Sequence, residues 1–300
     1  MKKMIIAAGT GFLGSILIEY FKDKAQEIVI LTRGKEGKKN NIKYVNWDAK
    51  SFSGWEHELE NCDVLINLAG KSVNCRYNER NKNEIMASRI DSTAILNKAV
   101  LQCKNPPKQW LNSSTATIYK GSYHKQMDEV NGDKGFDFSM KVARAWEKVF
   151  FKTETPQTIK TALRTSIVLG KKGGAYPMLR KLAKMGMGGK QGNGRQYVSW
   201  IHQHDFARAV EFVIKTQAEG VVNVVNPTPV RNTKFMAAIA KRVKAPFAIP
   251  ISKLMLDLGA KIIGTETELV LKSRNVIPKR LQENGFTFKY PNLEEALQNL

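Results

Sequence analysis

Ala8-Gly9-Thr10-Gly11-Phe12-Leu13-Gly14 is the stretch on which the reading of this chain turns. An apolar run over residues 4–7 enters it, and Ile16, Leu17, Tyr20 and Phe21 leave it with helical spacing. A glycine-rich turn between a buried strand and a helix is built to hold a dinucleotide pyrophosphate. Glycine lets the backbone turn tightly and approach the phosphates, while the helix N-terminus offers free N–H groups and a positive dipole end. Gly9, Thr10, Gly11, Phe12, Leu13 and Gly14 are therefore the first cofactor-binding candidates. The competing reading is an ordinary strand-to-helix turn.

Working outward, strands are expected over residues 28–31, 44–45, 64–68, 110–115, 159–163 and 221–225. Helices are expected over 84–103, stopped by Pro106-Pro107, and over 139–152 and 206–215, the last with Asp205 as N-cap. Strand–helix alternation implies a parallel sheet covered on both faces. The expected fold class is α/β, a Rossmann-type doubly wound sheet. Residues 1–170 form the dinucleotide-binding domain in this reading, and residues 171–300 form a smaller substrate-binding region. Residues 221–226 return one strand to the sheet, and 250–300 make a mostly helical subdomain.

The end of the second strand bears on the cofactor. NAD sites usually carry an acid there for the ribose 2′-OH, whereas this chain reads Leu31-Thr32-Arg33-Gly34. A guanidinium suits a 2′-phosphate, so Thr32 and Arg33 favour NADP over NAD. The alternative is a solvent-facing arginine. Asn67-Leu68-Ala69-Gly70 ends the fourth strand with residues small enough for the adenosine and inner ribose to pack on backbone. Asp48 is either a partner for the adenine amino group or a surface-turn aspartate. Ser113, near the end of the fifth strand, completes the cofactor set.

Composition sets the outer limits. Of 300 residues, 42% are hydrophobic and 25% charged, which excludes a disordered chain, and no apolar run reaches the ~20 residues of a membrane span. Residues 1–9 turn to glycine too early for a signal peptide. Cys62, Cys75 and Cys103 are odd in number and far apart, as reduced thiols of a cytoplasmic protein would be. The net charge of +21 admits an anionic ligand, nucleic acid or an anionic membrane surface. The basic residues are spread along the chain, and their densest clusters (33–39, 171–172, 180–190) lack the interleaved aromatics of a stacking groove. A lysine-rich solvated surface is the favoured reading. The expected partner is a small, anionic substrate, with no membrane partner and nucleic acid disfavoured.

Three groups of residues now carry a resemblance. The loop, Asn67–Gly70 and Ser113-Ser114-Thr115-Ala116-Thr117-Ile118-Tyr119 together resemble the extended short-chain dehydrogenases, which include nucleotide-sugar epimerases. Ser88-Arg89-Ile90-Asp91-Ser92-Thr93, Trp146-Glu147 and Gly192-Asn193-Gly194-Arg195-Gln196 narrow the match, as do Ser199-Trp200-Ile201-His202 and Gly285-Phe286-Thr287-Phe288. This set is similar to the YfcH-like epimerase-family proteins, whose small C-terminal domain has no assigned function. The resemblance implies a Rossmann-type sheet, NADP binding and an unidentified small substrate.

It also implies departures. Ala8 stands where the superfamily loop has its first glycine. Active members carry Tyr-x-x-x-Lys on the helix after the fifth strand, where the tyrosine transfers a proton and the lysine lowers its pKa. Here that pair reads Asp137 and Lys141 in one register, and Ser139 and Ala143 in the register set by Glu147. Thr115 matches the serine/threonine that hydrogen-bonds the reacting oxygen. Tyr119 is a candidate phenol, although a structural aromatic is its favoured role, and Tyr123 is a weaker one. His202 falls beside the substrate cleft. With His204 it invites a metal or proton-relay reading, but no third ligand is apparent and no metal is expected. Residues 185–196 form either a loop that closes over substrate or a tight connection, with Arg195 and Gln196 as candidate anion grips. Three functions stay open, in this order: an NADP-dependent oxidoreductase or epimerase, a non-catalytic NADP-binding or redox-sensing protein, and a nucleic-acid-associated basic protein.

Overall fold

Apolar residues follow one another along the first strand instead of alternating, so both of its faces require cover. In the computed structural model, which describes residues 1–264 and 266–300, that requirement is met by a sheet with helices on both sides. The chain runs through β1 (Lys3–Ala7), α1 (Phe12–Phe21), β2 (Glu27–Thr32), β3 (Gly37–Lys39), β4 (Ile42–Asn46) and β5 (Val64–Asn67). Next come α2 (Glu79–Gln102), β6 (Gln109–Thr115), α3 (Phe138–Lys152), β7 (Ile159–Thr165), β8 (Ile167–Leu169) and α4 (Tyr176–Lys184). β9 (Tyr197–Val198), β10 (Trp200–His202), α5 (Gln203–Lys215), β11 (Gly220–Val224), β12 (Val230–Arg231) and α6 (Asn232–Arg242) follow. The chain closes with α7 (Lys253–Ile263), α8 (Glu268–Leu271), α9 (Lys279–Glu283) and α10 (Leu293–Asn299).

The main sheet has the order β11-β7-β6-β5-β1-β2-β4-β3. All its pairings are parallel except the β3–β4 hairpin. Strand order reverses at β1, with β2 on one side and β5 on the other, and this switch point opens a crevice at the strand C-termini. Successive residues serve opposite faces. Ile6, Ile30, Ile66 and Leu111 pack with Leu17 of α1 and Phe206 of α5. Ile5, Val29, Leu65 and Trp110 pack with Leu96 of α2 and Phe150 of α3. A third apolar cluster joins Tyr176, Trp200, Phe235, Ile239, Leu293 and Leu297, so the C-terminal half has a core of its own.

The outer edge of β11 is partly covered by side chains. Arg280 Nη1 donates to the Glu219 and Val221 carbonyls at 2.7 and 2.6 Å, and Glu129 Oε1 accepts the Asn223 N–H at 2.8 Å. The opposite edge, β3, is the exposed tripeptide Gly-Lys-Lys.

Several boundaries differ from expectation. Helix α2 begins at Glu79, capped by Asn78, whose side chain accepts the Asn81 N–H at 2.8 Å. Its polar first turn lies outside the apolar spacing. Asp205 is not an N-cap. Helix α5 begins at Gln203 and is capped by His202, whose Nδ1 accepts the His204 N–H at 3.1 Å. Asp205 instead sits fully buried in the first turn and accepts the N–H groups of Lys289 and Tyr290, tying the C-terminal segment to α5.

Candidate cofactor and substrate site

The loop at the switch point has the shape a pyrophosphate needs. A Cβ on Gly14 would run into the Gly9 carbonyl, so close helix–strand packing demands glycine there. A Cβ on Gly11 would meet nothing within 4 Å, which leaves open space in front of α1. Gly11 is the N-cap of α1, no side chain caps that helix, and its first turn carries no acid. The residues present therefore fit a bound dinucleotide phosphate. Ala8 adopts φ 56°, the left-handed region glycine takes without cost, and its N–H is held by the Leu31 carbonyl at 2.8 Å. Phe12 packs against Gly170, Gly173 and Gly174, and a Cβ on any of the three would strike its ring. Thr10 is exposed, and Leu13 packs against the core.

Around the loop, Thr32 is buried and its Oγ1 accepts the Gly34 N–H at 3.1 Å. Arg33 is exposed and makes no ion pair among the described residues. Asp48 is also exposed, and its carboxylate accepts from Ser51 Oγ at 2.6 Å and from the Lys50 and Ser51 N–H groups, which hold its pKa below the usual carboxylate range. Asn67 is fully buried. Its Oδ1 accepts the Ala69 N–H at 3.0 Å, and its Nδ2 donates to Asn112 and Thr93. It shapes the Leu68–Ala69–Gly70 turn from below. A Cβ on Gly70 would press on the Arg89 guanidinium.

At the end of β6, Ser113 and Thr115 are partly exposed. Thr115 Oγ1 accepts the Thr117 N–H at 3.1 Å and shares a hydrogen bond of 2.9 Å with the Thr117 hydroxyl. Thr117 can donate in that pair, which frees the Thr115 proton for a ligand.

Tyr119 must be withdrawn as a candidate acid. It is 1% exposed, and its hydroxyl donates to Asn223 Oδ1 at 2.9 Å while accepting from Arg164 Nη1 at 2.7 Å. Arg164 in turn holds Glu147 through two 2.7 Å bonds, and Ser114 Oγ donates to the same carboxylate. Burial works against the Arg164 charge, but Glu147 more than offsets it and the guanidinium pKa is raised. The Trp146-Glu147 motif is thus part of a buried polar network.

The residues that the two registers set against the Tyr–Lys pair also have structural neighbours. Ala143 is fully buried with Ala116, Ile118 and Tyr119. Ser139 Oγ donates to Glu268 Oε1 at 2.5 Å, and Lys272 Nζ bridges Asp137 and Glu268 at 2.5 and 2.7 Å. The α8 region is therefore clasped onto the first turn of α3.

Beside that clasp lie Tyr77, Arg89 and Arg274, of which the sequence marks only Arg89. Tyr77 packs on Phe138 with ring centroids 4.9 Å apart, and its hydroxyl is buried with no hydrogen-bond partner in place. Burial raises its pKa, and the Ser139 hydroxyl nearby pulls the other way. Two guanidiniums lie within electrostatic reach of it. Burial lowers Arg89 to about 10, and it also lowers Arg274, whose Nη1 is buried and unpaired. Arg89 appears in the Ser88-Arg89 motif. Tyr77 and Arg274 sit in loops with no periodicity to mark them.

The substrate-side candidates separate. Arg195 is exposed. Gln196 is 1% exposed and its Nε2 donates to the Gln191 and Val270 carbonyls, so it braces the loop and does not grip a ligand. The loop itself is pinned: Gly189 and Gly192 donate their N–H groups to the Ile249 and Ile251 carbonyls at 3.1 and 2.8 Å. That is the tight connection, not a closing flap. His202 is 1% exposed, stacks on Tyr290 at 4.0 Å, and is pushed down to about 4 by burial, so it is neutral at physiological pH. It is a structural cap and not a proton relay. Among the described residues no three His, Cys, Asp or Glu side chains gather as a metal site. A polar cleft of about 360 Å³ lies between Tyr197, His124, Gln126, Thr228 and Asn275.

Comparison with known proteins places this geometry. The model of the NAD dependent epimerase/dehydratase family matches residues 4–226. The chain belongs to that family. Residues 253–300 match a domain of unknown function, DUF1731. The epimerase family protein SAR0825 of Staphylococcus aureus (strain MRSA252) is 36% identical over 303 residues, spanning 100% of this chain and 99% of the relative. Among solved structures, the human epimerase family protein SDR39U1 (isoform 2), determined with NADPH, superposes with a TM-score of 0.87 at 26% identity. That match covers 99% of this chain and 98% of the human one. A UDP-N-acetylglucosamine 4-epimerase from Methanobrevibacter ruminantium, in complex with UDP-N-acetylmuramic acid, gives a TM-score of 0.79 at 18% identity, covering 99% and 96%. At that identity the likeness is one of fold. The family is described as NAD dependent, and the open glycine loop fits such a cofactor.

Proposed function

We propose that this family member is an NADP(H)-dependent oxidoreductase or epimerase of a small anionic substrate, nucleotide-sugar-like in class. The observation that carries the reading is Arg33, exposed and without an ion pair among the described residues, at the end of β2 on the strand next to the open space before Gly11. The NADPH in the human relative supports the same choice. In this reading residues 1–170 hold the cofactor and 171–300 frame the substrate. The backbone of Gly9–Gly14 holds the pyrophosphate, Arg33 takes the 2′-phosphate with Thr32 beside it, and Asn67–Gly70 and Ser113 pack against the ribose side. Asp48 keeps its turn and is not needed by the adenine.

When bound, the cofactor supplies or accepts a hydride. The protein's part is to stabilise the oxygen that gains charge. Thr115 donates to it, and a preorganised donor of this kind contributes ~2.7–4 kcal/mol. With the Tyr119 hydroxyl held between Arg164 and Asn223, the proton comes from water. A second reading, a non-catalytic NADP-binding protein, draws on the clasp over Ser139 and the burial of Ala143.

Fluorescence titration with NADPH and NADH tests the proposal. NADPH is expected to bind more tightly, and Arg33→Ala to cost roughly tenfold or more for NADPH alone. Equal affinities in the unmutated protein refute the cofactor choice. With NADPH bound, Thr115→Val should reduce any turnover by a factor of about a hundred or more. A complete absence of hydride transfer across carbonyl and sugar-nucleotide substrates selects the binding-protein reading.

A further inference from the structure

The charge of +21 is not distributed evenly over the fold. Residues 171–200 carry seven lysines and arginines and residues 220–256 carry six, with no aspartate or glutamate in either stretch. All of these cations are exposed. The two stretches meet in space. Phe247 packs on Gly186, Ile249 exchanges backbone hydrogen bonds with Gly186 and Gly189, and Ile251 pairs with Gln191. A Cβ on Gly188 would touch Ala240, which brings the C-terminal end of α6, with Lys241, Arg242 and Lys244, to the same place.

That basic region surrounds apolar side chains that the protein leaves in solvent. Residues 246–250 are exposed throughout, with Phe247 at 58% and Ile249 at 50%. Met185, next to Gly186, is 59% exposed. The chain then enters α7, capped by Ser252 Oγ, where Leu254, Met255 and Leu258 are 79, 52 and 61% exposed. Those three lie on one side of the helix, flanked by Lys253 and Lys261, and Asp257 is the one acid of α7. A helix that buries Ala260 on one side, turns leucine and methionine outward on the other, and carries lysines in a cationic surround matches the chemistry of an interfacial segment. Among the described residues of this surface Phe247 is the single exposed aromatic, and one ring does not make the succession of stacking platforms that a nucleic-acid strand calls for. A second copy of this chain would bring a second dense array of cations against the first.

We infer that α7 and residues 245–251 form a docking surface for an anionic lipid bilayer, on which the protein sits peripherally. The apolar side chains enter the headgroup boundary, and the lysines of α4, α6 and α7 meet the anionic headgroups. Among the described residues no helix is long and apolar enough to cross a membrane, so the contact is one of surface only. This inference does not depend on which dinucleotide the glycine loop takes.

Flotation of the full chain with vesicles of phosphatidylcholine, alone or mixed equally with phosphatidylglycerol, tests it. Binding is expected to the mixed vesicles and not to phosphatidylcholine alone, and to weaken in about 0.5 M salt. The double variant Leu254→Glu, Leu258→Glu should reduce vesicle binding about tenfold or more while NADPH affinity and thermal melting stay unchanged. Lys253→Glu with Lys261→Glu should act in the same direction. No flotation with the anionic vesicles overturns the inference. So does a dimer in sedimentation equilibrium that Leu258→Glu dissolves, which assigns the face to a second copy. Retention by duplex DNA without vesicle binding assigns it to a polynucleotide and overturns it as well.

Discussion

At the scale of single residues, His202 shows how burial changes what a side chain does. Read in the sequence, a histidine near a cleft suggests proton transfer, and with His204 it suggests a metal. Folded, it is an N-cap whose Nε2 is buried and unpaired. Its pKa in the fold, about 4, lies below the ordinary 6.5, so on acidification the unfolded chain takes up the proton first. Stability therefore falls as pH drops from about 6.5 towards 4 and levels off below, with a contribution on the order of 3 kcal/mol. His202→Asn keeps a capping oxygen for the His204 N–H and removes the titration. Urea melts at stepped pH should show a shallower acid loss in the variant. An identical pH profile would show that His202 carries none of it. Arg33 was legible because its meaning is local, a cation where an acid is usual. Arg164 and Glu147 were not, because a buried pair is recognised only when β7 is laid beside α3.

At the scale of elements, the strand and helix on either side of the glycine loop were readable, since Lys3–Ala7, a tight turn and Phe12–Phe21 follow one another without interruption. The structure separates two glycines that the sequence presents alike. Gly14→Ala sets a methyl against the Gly9 carbonyl and should lower thermal stability sharply, because the helix must move off the strand. Gly11→Val meets no protein atom and should melt within ~0.5 kcal/mol of the parent, yet lose dinucleotide binding. Paired melting curves and NADPH titrations distinguish them, and a folded Gly11→Val protein with full affinity would place the cofactor elsewhere. Strands of two or three residues such as β8, β9, β10 and β12 were invisible in the sequence, for no periodicity can be read over so short a run. The start of α5 was misplaced for a related reason: the apolar spacing begins at Phe206, but the cap lies four residues earlier, on a histidine.

At the scale of the molecule, alternating strands and helices were enough to expect the doubly wound sheet. The concentration of exposed cations around Met185, Phe247 and α7 was not, because it exists only after residues 186–192 and 247–251 have been hydrogen-bonded together. One further feature of the sheet bears on how the protein behaves in a crowded solution. Any open sheet ends in two rows of unpaired peptide groups, each able to recruit a strand from another molecule and so begin a fibril. On β3 the row is short and carries two lysines, whose mutual repulsion discourages recruitment. On β11 the outward carbonyls of Glu219 and Val221 and the outward N–H of Asn223 are already taken by Arg280 and Glu129, which together stand in for part of a ninth strand without offering a new rim. Arg280→Ala should leave the circular dichroism spectrum intact and yet lower the temperature at which concentrated protein begins to scatter light. An unchanged onset would mean that the guanidinium is not what keeps neighbouring molecules from growing on that rim.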